Sequence, residues 1–439
     1  MACLRSSCCV FCILRTVFTY CILDILQSVH CVLSARIGSR FLHDVPILRS
    51  AFLRRVRTTG MLARLCVRSS TACMHLGVTK DFRMDAQTSY KEYAVLVLCG
   101  VLAAGVVIAL AALGNPPNMA MCIACFMRDT AGALKLHSAA PVQYMRPEII
   151  GIVLGAFVMA LIRKEFKPKG GSAPVARFVL SFFMMIGALV FLGCPLRMIL
   201  RMGAGDLNAW VGLVGFAAGI ALGVVFLKNG FSLGKATPSA HKLEGMIIPI
   251  IVAVFLVVSL TTSLFAISQK GPGSIHAPLI ASLIGGLIFG AVSQRTRLCF
   301  AGGFRDVFIT RDASRLIVIA FIFVGILVYN LITGHFKLSF DAQPIAHAQA
   351  LWNVLGLFVV GLAATLMGGC PLRQLVLAGS GNSDAGISFF GLLVGAAFAH
   401  NFGLASSGQG TTFAGQVMII VGIVVLCVIA ACNLNKAKA

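Results

Sequence analysis

The chain has 439 residues, of which 59% are hydrophobic and only 11% charged, and its mean hydropathy is +0.95. Soluble domains carry roughly 25% charged residues, so charged surface is too scarce here to solvate a water-soluble protein of this length. The net charge of +22 sits in short gaps between long apolar runs, which points to lipid head groups and argues against a nucleic-acid surface.

Residues 1–83 differ in kind from the rest. They are rich in Arg, Cys and Ser, hold half of the 16 cysteines, and offer no clean apolar span, since Val10 to Val32 is interrupted by Arg15, Asp24 and Gln27. This basic, Cys-rich N-terminal extension has three competing readings. It is a targeting peptide, a basic arm on the membrane surface, or translated sequence upstream of a true start at Met84. The last is favoured, and no function is placed in this extension.

A membrane helix needs about 20 mostly apolar residues. In chain order the expected spans are 93–113, 147–163, 176–193, 207–227, 245–267, 277–293, 314–334, 350–369, 384–402 and 412–434. The gaps 114–146 and 294–313 are too apolar for plain loops. Each is expected to hold a short re-entrant helix that enters the membrane without crossing it, a conformation tolerated only inside protein or against a water-filled cavity. With the residue-84 end in the cytoplasm, most loop Lys and Arg residues fall on the cytoplasmic side. Both ends of the membrane domain are therefore expected inside.

The strongest signal is a duplication. Gly193-Cys194-Pro195-Leu196-Arg197 recurs as Gly369-Cys370-Pro371-Leu372-Arg373. Upstream, Cys122 precedes Arg128-Asp129 as Cys299 precedes Arg305-Asp306. The separation from Cys122 to Cys194 is 72 residues, and from Cys299 to Cys370 it is 71. This divides the membrane domain into repeat 1 (84–244), a connecting span (245–276) and repeat 2 (277–439). An odd offset of spans between the copies inverts the second relative to the first, a common transporter plan.

Proline breaks an apolar helix and is favoured at the first position of a new one. Each motif thus reads as an interrupted span with Cys194 or Cys370 at a helix N-terminus, where free N–H groups attract anions. Gly193 and Gly369 are expected to allow the tight backbone and close approach. Arg197 and Arg373 add charge one turn on, as lipid or water anchors or as part of an anion path. Thiols donate weak S–H hydrogen bonds, and conduction requires sites weak enough to leave. Cys122, Cys194, Cys299 and Cys370 are the substrate-path candidates, with Cys125, Arg128 and Arg305 in support. Cys99, Cys427 and Cys432 read as small hydrophobes. The histidines show no ligand spacing, His400 inside a span being the one to check first. No zinc pattern completes the Cys122/Cys125 pair, and no metal, cofactor or catalytic residue is expected.

With these motifs the chain resembles the YeeE/YedE sulfur-transport family, and within it the YedE-type subgroup associated with selenium. The resemblance runs from about residue 90 to the end. It rests on Asn115-Pro-Pro-Asn-Met, Cys122-Ile-Ala-Cys-Phe-Met-Arg-Asp, Tyr144-Met-Arg-Pro-Glu-Ile-Ile-Gly and the two Gly-Cys-Pro-Leu-Arg copies. It implies an all-α integral membrane protein of about ten spans plus short re-entrant helices, arranged as two inverted repeats in an hourglass-like fold. It implies import of a small selenium- or sulfur-containing anion across a prokaryotic cytoplasmic (inner) membrane, with Cys122, Cys194, Cys299 and Cys370 passing the ion by S–H hydrogen bonding. A small cytoplasmic sulfur- or selenium-carrier protein is the partner such a route implies. The rival reading from the residues is a membrane thiol oxidoreductase using Cys122 and Cys125.

Overall fold

The computed structural model describes residues 78–239 and 241–434. The expectations for residues 1–77 lie outside the described residues. The chain divides into two units, Met1–Tyr93 and Ala94–Ala439, and the second holds the membrane helices.

Fourteen α-helices fall into two series of seven among the described residues. The first is α1 (Val78–Ala112), α2 (Ile123–Ala133), α3 (Pro147–Ile162), α4 (Pro174–Phe191), α5 (Pro195–Gly203), α6 (Leu207–Lys228) and α7 (Lys242–Thr261). The second is α8 (Leu279–Thr296), α9 (Phe300–Thr310), α10 (Leu316–Ile332), α11 (Ala350–Met367), α12 (Pro371–Gly379), α13 (Ser383–Asn401) and α14 (Phe413–Cys432). Matched members have similar lengths: 11 residues for α2 and α9, 18 for α4 and α11, 9 for α5 and α12. By this order α7, read from sequence as a connecting span, holds the place in the first series that α14 holds in the second. Two-residue strands β1 (Lys169–Gly170) and β2 (Thr237–Pro238) pair antiparallel and clip two loops together.

Nine stretches are long and apolar enough to cross a membrane among the described residues, and α10, at 17 residues, is a shorter apolar helix. All ten expected spans are therefore helical. The short helices expected in 114–146 and 294–313 are α2 and α9. The protein is an all-α, multi-pass integral membrane protein.

The packing shows how the two series relate. Arg177 at the start of α4 donates to the Met367 carbonyl at the end of α11 (3.2 Å), and His347, ahead of α11, hydrogen-bonds the Val190 carbonyl near the end of α4 (2.8 Å). These matched helices run antiparallel, as an inverted duplication requires; rotation about the membrane normal would leave them parallel. Equivalent contacts recur on each side. A Cβ at Gly215 or Gly219 of α6 would come within 3.0 Å of the Val354 or Phe358 carbonyl of α11. At the same places relative to the motifs, a Cβ at Gly391 or Gly395 of α13 would lie 2.7 Å or 2.8 Å from the Phe178 or Phe182 carbonyl of α4. Small residues let membrane helices approach at the backbone, where van der Waals packing replaces the hydrophobic drive. Helices α7 and α14 depart from the symmetry: α7 packs on α3, α12 and α13, whereas α14 packs on α4 and α11.

Both interruptions fall at the Gly-Cys-Pro-Leu-Arg motifs. The helix-ending left-handed residue is Leu192 (φ 63°) in one copy and Gly368 (φ 86°) in the other. This corrects the expectation that Gly193 and Gly369 supply the turn. Their missing side chains instead make room for the arginine one turn on: a Cβ there would lie 2.7 Å from Arg197 Cδ or 2.8 Å from Arg373 Cγ.

Candidate functional site: two thiol pairs at helix starts

Four short helices begin at the four motif cysteines. Cys122 caps α2 by accepting the Cys125 N–H on Sγ (3.4 Å), and Cys299 caps α9 by accepting the Gly302 N–H (3.2 Å). Helix starts leave backbone donors unpaired, and a side-chain acceptor satisfies one of them; here sulfur takes that role. Cys194 and Cys370 occupy the N-cap positions of α5 and α12, each followed by proline at the first helical position.

These starts meet in pairs. Cys122 Sγ lies 4.0 Å from Cys194 Sγ, and Cys299 Sγ lies 3.8 Å from Cys370 Sγ. The Cys370 N–H also points at Cys299 Sγ (3.5 Å). All four thiols are free and buried. The arrangement is two pairs, and no cluster of three or more metal-ligating side chains occurs among the described residues. Because α4 and α11 run antiparallel and each carries its interruption at its C-terminal end, the pairs sit toward opposite ends of this central helix pair.

The surroundings of the pairs differ. Around Cys122 and Cys194 the protein is closed. Arg197 is fully buried and donates to the carbonyls of Asn118 (2.9 Å), Leu192 and Ile345 (2.9 Å), and to Cys125 Sγ (3.4 Å). Cys125 is thus engaged by an arginine. Beside Cys299 lies a cavity of about 320 Å³ lined by Lys169, Arg297, Arg305, Arg315 and Arg373. The difference has a covalent origin. The link from α1 to α2 spans residues 113–122 and supplies Asn118, whereas that from α8 to α9 spans only 297–299. Cys125 also has Gly302 as its counterpart, so the second arginine lacks a thiol to donate to.

The Arg-Asp motifs are ion pairs, each with a third member that the sequence motif does not contain. Asp129 accepts from Arg128 (2.8 Å) and Arg146 (2.8 Å), all three buried. Asp306 accepts from Arg305 (3.0 Å) and is ion-paired with Arg315 (2.7 Å), in more open positions. Arg146 and Arg315 are the N-cap residues of α3 and α10; their equivalent places ahead of equivalent helices were the available signal. A further buried pair, Arg201–Asp206 (2.6 Å), joins the last turn of α5 to the N-cap of α6, and the equivalent positions, Leu377 and Asn382, carry no charge. His400 stacks on His137 with ring centroids 4.7 Å apart.

Two histidines in the links between spans are held neutral. The Ala139 N–H donates to Nδ1 of His137 and the Gln349 N–H to Nδ1 of His347 (3.3 Å each), so each Nε2–H faces a carbonyl, of Arg128 and Val190 respectively. Burial lowers both from the ordinary histidine value. The unfolded chain binds protons below about pH 6.5, so this contribution to stability is complete above that pH and fades as pH falls. The thermal-unfolding midpoint should drop between about pH 7 and about pH 5.5. A His137→Asn/His347→Asn double variant should show a flatter profile; an equally steep one would contradict the assignment.

A family model described as sulphur transport matches residues 61–222 and 295–436, so each half of the chain is matched separately. The thiosulfate transporter TsuA of Escherichia coli (strain K12) is 33% identical over 120 residues, covering 26% of this chain and 32% of that protein. The thiosulfate transporter TsuA of Spirochaeta thermophila is 30% identical over 113 residues, covering 25% and 33%. The alignments thus span about a third of the length of these curated relatives. On the two family matches, which together cover well over half of its length, the chain belongs to the sulphur transport family.

Proposed function

We propose that the protein imports a small sulfur-containing oxyanion, thiosulfate or a selenium-bearing analogue, across the cytoplasmic membrane of a prokaryotic cell. Both ends of its membrane domain lie in the cytoplasm, and the basic cavity beside Cys299 opens to that side, in keeping with the charge asymmetry of the loops. The observation that carries the reading is the duplicated thiol pair, each sulfur at the start of a short helix inside an apolar scaffold. Helix starts offer partial positive charge to an anion. Thiols offer a weak donor to its polarizable sulfur or selenium and release it readily. The ion passes from the Cys122/Cys194 station to the Cys299/Cys370 station, then into the cavity and on to a small sulfur- or selenium-carrier protein.

The test is uptake of radiolabelled thiosulfate and selenite into vesicles containing the purified full chain, comparing wild type with Cys194→Ala and Cys370→Ala. A hydrogen bond to a charged group is worth about 1.5–3 kcal/mol, so each variant should lose roughly ten- to hundredfold in uptake efficiency. Uptake at the wild-type level in both variants would remove the thiols from the route. The more strongly affected of the two labels identifies the cargo.

A further inference from the structure

The two motif arginines have equivalent sequence positions and opposite circumstances. Arg197 spends its guanidinium on three backbone carbonyls and the Cys125 thiol. Arg373 finds no hydrogen-bond partner among the described residues, and its Nη1 is buried. It lines the cavity with four other cationic residues, and no carboxylate belongs to that lining. The nearby Asp306 is already shared between Arg305 and Arg315. A buried donor left unpaired costs about 1–3 kcal/mol, more when charged. No hydrogen-bond acceptor among the described residues offsets this cost, whereas in the first half Asn118, Leu192, Ile345 and Cys125 do.

A guanidinium presents a planar fork of donors that matches the oxygen geometry of an oxyanion, which an ammonium does not. Cys299 borders the same cavity, so an ion held there meets guanidinium N–H groups on one side and a thiol on the other. The volume of about 320 Å³ accommodates a four- or five-atom ion with several waters, each of which takes up about 30 Å³. We infer that Arg373 is the specificity-determining residue of the cavity and binds the oxygen-bearing end of the cargo while Cys299 faces its chalcogen end. The favoured class is then an oxyanion with a terminal sulfur or selenium, in preference to an oxygen-free ion such as hydrosulfide. Arg197, its equivalent, is committed to the protein in this conformation and offers no such site.

This inference deepens the transport reading and rests on it, so binding and flux are measured separately on the full chain. The probes are thiosulfate, sulfate and hydrosulfide. Arg373→Gln should weaken equilibrium thiosulfate binding at least about tenfold, the size of one lost charged hydrogen bond. Sulfate, which has the oxygens, should compete with thiosulfate in the wild type and lose that ability in the variant, whereas hydrosulfide should compete only weakly in both. Arg373→Lys keeps the charge and loses the fork. It should fall between the two, and it decides the matter if the glutamine variant fails to fold. Wild-type thiosulfate affinity in the lysine variant, or in the folded glutamine variant, overturns the assignment. A wild-type chain that binds thiosulfate through Arg373 yet carries none would sustain the assignment and defeat the transport reading.

Discussion

Asp129→Ala is expected to cost the protein about 3–5 kcal/mol, because removing one member of a buried ion pair strands its partners. Here two guanidinium groups are stranded. Arg128 and Arg146 are only 4% and 0% exposed in their side chains, and Asp129 itself is fully buried. Arg146 also donates to the carbonyls of Pro272 and Ile275 and lies over the Phe126 ring, so its loosening spreads to α2 and the link between α7 and α8. The second half supplies an internal control. Asp306 bridges Arg305 and Arg315 in the same way, but those side chains are 28% and 35% exposed, and pairs screened by water are worth up to about 1 kcal/mol. Thermal-unfolding midpoints of the purified Asp129→Ala and Asp306→Ala proteins should therefore separate widely. Equal, small losses would show that burial does not set the energy of these pairs.

Gly219→Ala should be comparably damaging although it adds one methyl group. Its new Cβ would collide with the Phe358 carbonyl, a backbone atom that no side-chain rotation can move aside. Overpacking costs about 1–3 kcal/mol where neighbours can adjust, and a backbone neighbour places this variant at the upper end or beyond. Gly395→Ala should behave alike through Phe182. Gly105 in α1 has open space where a methyl group would go, with nothing within 4 Å, so Gly105→Ala should gain up to about 1 kcal/mol from helix propensity. Yield of folded protein and unfolding midpoint are the readouts; a harmless Gly219→Ala would mean that α6 and α11 are not locked through their backbones.

The helices were legible in the sequence because membrane spans are local: a run of apolar residues declares itself without reference to anything distant. The motif cysteines were legible for a related reason, since each copy of Gly-Cys-Pro-Leu-Arg carries its own helix breaker. The matched spacing of Cys122 to Cys194 and of Cys299 to Cys370 revealed the duplication, and folding brings each such couple within 4.0 Å. What stayed hidden depends on partners remote in the chain. Arg146 and Arg315 looked like loop charges, and only folding brings them to Asp129 and Asp306. The unequal fates of Arg197 and Arg373 could not be read from two identical pentapeptides, because they follow from Asn118 and Ile345, far from the motif. Leu192 was hidden as the helix-ending residue because a left-handed leucine is disfavoured, and the flanking glycine was the natural expectation.

The glycine contacts between α6 and α11, and between α4 and α13, bear on how a solute could pass. Main chains that touch carbonyl to Cα leave no lubricating layer of side chains, so these helices behave as one welded frame. Swinging one half of such a frame against the other would tear many contacts at once. A solute route that required such a swing is therefore disfavoured.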